Sequence, residues 1–135
     1  GSPVVFLHGV GSDRSVWREQ LDRFGEYHRA LALDFRGHGE SDVPPLGSID
    51  RAAFAADVAA AVGELQLGPV HLVGLSMGGV VALETYSRFP ELVRTLTLAD
   101  SFARFPAGRR GWRPASGSWN TPQCANWPRR AFRRA

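Results

Sequence analysis

Five residues in the middle of the chain carry the strongest chemical signal, Gly74-Leu75-Ser76-Met77-Gly78. A serine with glycine two positions before it and two after it suits a sharp strand-to-helix corner. At such a corner the backbone is strained and the hydroxyl projects from the top of a sheet. Gly74 and Gly78 leave room where a β-carbon would collide with neighbouring backbone. A helix that starts at the serine aims free amides and its positive end at any anion formed there. The chemistry is attack by the Ser76 hydroxyl on a carbonyl, with the Met77 amide donating to the oxyanion. Ordinary β–α turns also use glycine, so the spacing counts only in context: a buried strand before it and an amphipathic helix after it.

The elements around the motif supply that context. Val4-Val5-Phe6-Leu7 is a continuous apolar run of the kind buried on both faces of a parallel sheet. It ends at His8-Gly9-Val10-Gly11, a turn. Asp13 can cap a helix over residues 14–27, with Trp17, Leu21 and Phe24 on one face. Ala30-Leu31-Ala32-Leu33-Asp34 reads as a second buried strand, followed by a loop punctuated by Gly37, Gly39 and Gly47. Ser48 or Asp50 can cap the next helix, with Phe54, Val58, Ala61, Val62 and Leu65 on one side. Residues 70–74 form the third strand, 80–88 continue a helix after the serine turn, and 92–99 form the fourth strand. Strands alternating with helices predict an α/β fold with a parallel sheet and right-handed crossovers.

Three segments in order complete a pattern: His8-Gly9-Val10-Gly11, then Asp34-Phe35-Arg36-Gly37-His38-Gly39-Glu40-Ser41, then Gly74-Leu75-Ser76-Met77-Gly78-Gly79. Together they resemble the α/β-hydrolase superfamily, in its esterase, lactonase and haloperoxidase-like branch. With Pro90-Glu91-Leu92-Val93-Arg94 after the helix, the chain is most similar to the 3-oxoadipate enol-lactonase group. The resemblance spans residues 3 to about 107. It implies a partial α/β-hydrolase fold, with helices on both faces of the sheet and the C-terminal strands absent. It implies serine-nucleophile hydrolysis of a carboxylic ester or lactone, a small-molecule substrate. It makes the Val10 amide the second oxyanion donor. His8 is then a structural histidine supporting the turn, and Asp34, Arg36 and His38 brace their loop.

In such a fold the triad runs serine, acid, histidine along the chain. The four histidines, His8, His28, His38 and His71, all precede Ser76. Asp100 ends the strand after the helix; it reads first as a turn or capping aspartate and second as the triad acid. An acid without its histidine orients nothing, so the chain by itself is expected to be at most a feeble esterase. No cofactor or metal is expected, because no His/Cys/Asp cluster has ligand spacing. Two other readings stand beside the hydrolase: a non-catalytic truncated remnant, and a cofactor-free acyltransferase or perhydrolase on the same elbow.

Composition divides the chain. Residues 1–100 hold eight arginines and thirteen acids, a net −5; residues 101–135 hold eight arginines and no acid, a net +8. There is no lysine, and three of the four tryptophans, Trp112, Trp119 and Trp127, lie in the second part. Residues 1–107 therefore read as the hydrolase-like segment and 108–135 as an Arg/Pro/Trp-rich, disordered tail. Arginine with interleaved tryptophan suits a nucleic-acid arm. The abrupt end of the pattern is better explained by truncation or a shifted reading frame in GC-rich DNA. The absence of an initiating Met before Gly1-Ser2-Pro3 points to a partial or processed chain. No apolar run is long enough to span a bilayer and no secretory leader is seen. A single cysteine, Cys124, excludes an intrachain disulfide and suits the cytoplasm.

Overall fold

The computed structural model describes residues 1–45 and 47–103, together with the backbone of Phe132–Arg134. The expectation of a disordered tail falls mostly outside these residues.

Four parallel strands form the sheet. Strand β1 is Val4–Leu7, β2 is Ala30–Leu33, β3 is Val70–Leu75 and β4 is Val93–Ala99. A short fifth strand, β5 at Phe132–Arg134, pairs antiparallel with β2, so that the order is β4-β3-β1-β2-β5. Every residue of β1 and β2 is buried, as continuous apolar strands covered on both faces should be.

Three α-helices cover the sheet: α1 at Arg18–Gly25, α2 at Arg51–Glu64 and α3 at Met77–Arg88. Side chains alternate along each strand, which splits the core in two. Val5, Leu7, Leu31, Leu33 and Leu72 pack against Phe54, Val58 and Val62 of α2 and Val81 of α3. On the other face Val4, Phe6, Ala30 and Ala32 pack against Trp17 and Leu21. The expected helices on both faces are present. No helix among the described residues is long and apolar enough to cross a membrane.

The first helix differs from the sequence reading. Residues 14–27 do not form one α-helix: Arg14–Trp17 is a 3₁₀ turn, and α1 follows it. The cause is long-range, because the Arg14 amide donates to Asp34 Oδ1 at 2.7 Å and its guanidinium to Asp34 Oδ2 at 2.6 Å. Asp13 does cap the turn, accepting from the Ser15 amide at 2.7 Å. Phe24, expected in the core, is 40% exposed, although it meets the Phe6 ring edge-on. Of the two proposed caps for α2, Asp50 is the one used, accepting from the Ala53 amide at 2.7 Å.

The strand order reverses direction once among the parallel strands. From β1 the chain moves outward to β2, then crosses back over β1 to β3 and continues to β4. The direction reverses between β1 and β3. In open α/β sheets, the gap beyond the strand C-termini at such a reversal is where ligands bind. The residues after β1 are the His8–Gly11 turn, and the residue after β3 is Ser76.

Candidate active site

Ser76 stands between β3 and α3 with φ 52° and ψ −115°. This is a left-handed region that costs a residue with a β-carbon about 1–3 kcal/mol, and it persists only where the surroundings enforce it. The surroundings do so through backbone contacts. The Ser76 amide donates to the Ala99 carbonyl of β4 at 3.0 Å, and the Ser76 carbonyl accepts from the Gly79 amide at 3.0 Å. Space enforces the corner as well. A β-carbon on Gly74 would strike the Gly78 carbonyl, and one on Gly78 would strike the carbonyls of Leu7, the last residue of β1, and of His8 just past it. The first turn of α3 therefore lies directly on strand backbone, and only glycine fits at both positions.

The Ser76 side chain makes no capping bond to α3, so its hydroxyl is not spent on the helix. Met77 opens α3, where an amide has no carbonyl one turn earlier to bond. The turn after β1 reaches the same place: a β-carbon built on Gly9 would lie 3.5 Å from Ser76 Cβ and 4.0 Å from Ser76 Oγ. Ser76, Met77 and the Gly9-Val10 backbone, distant in sequence, thus share one corner. The Val10 side chain points away from the core, 73% exposed.

His8 is fully buried, and its ring is fixed by two backbone groups. Nδ1–H donates to the Gly9 carbonyl at 2.8 Å, and Nε2 accepts from the Phe35 amide at 3.1 Å. A carbonyl only accepts and an amide only donates, so these partners select the neutral Nδ1–H tautomer. The ring ties the turn beside Ser76 to the start of the loop after β2. Burial pushes His8 below its ordinary value of 6.5, against an opposite pull from the Gly9 carbonyl and with help from nearby His38.

A pH dependence follows from this shift. The unfolded chain takes up a proton on His8 as pH falls through about 6.5, while the folded chain resists, so the contribution of His8 is complete above that value and is lost below it. Asp57 acts in the opposite sense in the carboxylate range, because burial raises it despite Arg36. The urea midpoint should therefore decline between pH 7.5 and 5.5. A His8→Gln chain, less stable at neutral pH, should show a flatter profile. Equal slopes in the two chains would remove His8 as the cause.

The other histidines are committed elsewhere. His28 Nδ1 meets the Ser2 carbonyl at 3.0 Å, His38 Nδ1 the Arg36 carbonyl at 3.1 Å, and His71 Nδ1 the Thr95 hydroxyl at 2.7 Å. Among the described residues none bonds to Ser76. Asp100, at φ 44°, is exposed and directly follows Ala99, the residue whose carbonyl holds Ser76.

The loop after β2 is braced as expected, with a partner the sequence reading missed. Asp34 is buried and accepts from Arg14 and from the Glu40 amide at 3.1 Å. Arg36 reaches α2 and forms a two-pronged pair with Asp57, Nε to Oδ2 at 2.6 Å and Nη2 to Oδ1 at 2.5 Å. Asp57 sits on the helix face that also carries Phe54 and Val58, where an acid reads as a lapse in the apolar pattern. A charged cleft bounded by Asp13, Arg14, Asp34 and Glu40 lies beside this loop and does not include Ser76. Among the described residues no group of three or more His, Cys, Asp or Glu is placed to hold a metal.

The chain is similar to known proteins in sequence and in fold. The model of the alpha/beta hydrolase family matches residues 4–135. A pimeloyl-[acyl-carrier protein] methyl ester esterase of Neisseria meningitidis serogroup B is 36% identical over 104 residues, covering 77% of this chain and 38% of that protein. A thermophilic esterase from Thermogutta terrifontis superposes with a TM-score of 0.74 at 38% identity, over 77% of this chain and 38% of that one. Est816, described as an N-acyl homoserine lactone degrading enzyme, superposes with a TM-score of 0.72 at 32% identity, over 75% of this chain and 39% of that one. The chain thus spans less than two fifths of the length of these relatives. By the family match and by its fold, the chain belongs to the alpha/beta hydrolase family.

Proposed function

We propose that residues 1–107 carry the nucleophile half of a serine hydrolase acting on a small carboxylic ester or lactone. One observation carries the reading: the Ser76 hydroxyl, free of the helix it precedes, stands at the strained β3–α3 corner facing the turn after β1, where a β-carbon built on Gly9 would lie 4.0 Å from Ser76 Oγ. In the reaction Ser76 Oγ attacks the substrate carbonyl carbon and loses its proton to a base. The amides of Met77 and Val10 hold the oxyanion. The carbon–oxygen bond to the alcohol then breaks and the alcohol leaves with a proton, leaving an acyl group on Ser76. Water attacks that acyl group, releases the acid and restores the hydroxyl.

The base is the missing part. Each histidine of the chain has a partner away from Ser76, and none follows it in sequence. Asp100 is the acid candidate in this chain, one residue past the carbonyl that holds Ser76. The chain alone should therefore retain only what oxyanion donors and binding provide. We expect slow turnover of an activated aryl acetate, about a thousandfold or more below that of a complete serine hydrolase. Ser76→Ala should reduce it to the buffer rate. Turnover that survives Ser76→Ala unchanged would end the nucleophile assignment, and no turnover in either protein would favour a non-catalytic remnant.

A further inference from the structure

We propose that Ser101 is a positioning residue for the nucleophile: its hydroxyl locks the strained Ser76 backbone from the β4 side. The proposal rests on the reading of Ser76 as the nucleophile.

Ser101 Oγ donates to the Ser76 carbonyl at 2.8 Å across twenty-five positions of sequence. Two residues earlier, the Ala99 carbonyl accepts the Ser76 amide at 3.0 Å. Both backbone polar groups of Ser76 are thus gripped by one short segment, residues 99–101. Between the two grips lies Asp100, itself at φ 44°. That left-handed step turns the chain immediately after β4 and brings Ser101 back over the corner. Two strained non-glycine residues, Ser76 and Asp100, thus lie side by side, because the residues flanking Asp100 hold the amide and the carbonyl of Ser76.

Gly79 is matched to the same contact. A β-carbon there would collide with Ser101 Oγ and Cβ. The second glycine of Gly78-Gly79 therefore has a use that the Gly-x-Ser-x-Gly spacing does not explain: it admits the Ser101 side chain. Ser101 touches no reacting atom. It acts on the direction of the Ser76 hydroxyl, and small misplacements of a reacting group cost large factors in rate.

The test compares Ser101→Thr with Ser101→Val in the full chain. The two side chains have the same shape and differ in the hydroxyl; Ser101→Ala removes the hydroxyl without adding bulk. Amide hydrogen exchange is read at Ser76 and Gly79, against Leu72 in the buried strand. Labelling of Ser76 by a fluorophosphonate, which displaces fluoride and releases the hydroxyl proton to solvent, is followed at several probe concentrations. Ser101→Thr should match the parent chain. Ser101→Val and Ser101→Ala should exchange about five- to tenfold faster at Ser76 and Gly79 with Leu72 unchanged, as the loss of one partly buried hydrogen bond implies. Their maximal labelling rate should fall by a similar factor or more, with the half-saturating probe concentration unchanged. Equal exchange in the Thr and Val chains would overturn the proposal. If the parent chain is never labelled, the nucleophile reading fails, and the exchange comparison still decides whether Ser101 holds the corner.

Discussion

Gly78→Ala should lower the melting temperature by more than about 10 °C. One methyl group is added, but it falls on the carbonyls of Leu7, at the end of β1, and of His8 just past it. Backbone at the centre of a sheet cannot yield as a flexible side-chain tip does. The first turn of α3 must lift, which pulls Val81 and Ala82 from the core they share with Leu72. Overpacking of this kind costs about 3 kcal/mol or more, a large share of a small domain's stability. In a segment of about 100 residues each kcal/mol moves the melting temperature by about 4–8 °C. Gly63→Ala is the control. Gly63 lies in α2 with open space around its missing β-carbon, so the same substitution there should raise the melting temperature by a few degrees. A Gly78→Ala chain that melts with the parent would mean that α3 does not lie on β1 as described.

The second large effect is expected at Arg36. Asp57 is 3% exposed, and Arg36 supplies its counter-charge with two hydrogen bonds. Arg36→Ala leaves a buried carboxylate without a partner, a loss of about 3 kcal/mol at neutral pH. The cost depends on pH with a definite sign. Burial already raises the Asp57 carboxyl, and Arg36 is what opposes that rise. Without Arg36 the group takes up a proton more readily in the folded chain than in the unfolded one. Folding is then favoured as pH drops toward the ordinary carboxylate value of 3.8. The penalty of Arg36→Ala, read from urea midpoints, should therefore shrink between pH 7 and pH 5. Adding Asp57→Leu should recover most of the loss, because an apolar side chain needs no counter-charge. If Arg36→Ala costs the same with leucine at position 57, the pair is not what braces the loop.

Both effects bear on the site. Gly78 sets how closely α3 approaches β1, and so how near Ser76 comes to the Gly9 turn. Arg36 holds the loop whose Phe35 amide fixes the His8 ring, and that ring holds the Gly9 carbonyl. The turn after β1 is thus supported through a chain of contacts ending in the ion pair between Arg36 and the buried Asp57 of α2.

Much of this was legible in the residues alone because it depends on neighbours in sequence. Four apolar runs named the strands, Asp13 marked the start of a helical segment, and Ser48 or Asp50 the start of α2, which Asp50 caps. The two glycines around Ser76 specified a tight corner; the clash Gly74 avoids is with Gly78, four positions on, whereas the one Gly78 avoids is with the distant Leu7 and His8 carbonyls. What local spacing could not convey was which segments cross. It gave no sign that β3 returns beside β1, setting Gly9 against Ser76, or that Asp57 faces Arg36 across twenty-one positions. It also gave no sign that Arg14, tied to Asp34, tightens the expected helix into a 3₁₀ turn, or that Ser101 reaches back to the Ser76 carbonyl. These contacts follow from strand order and from burial, which only the assembled sheet decides.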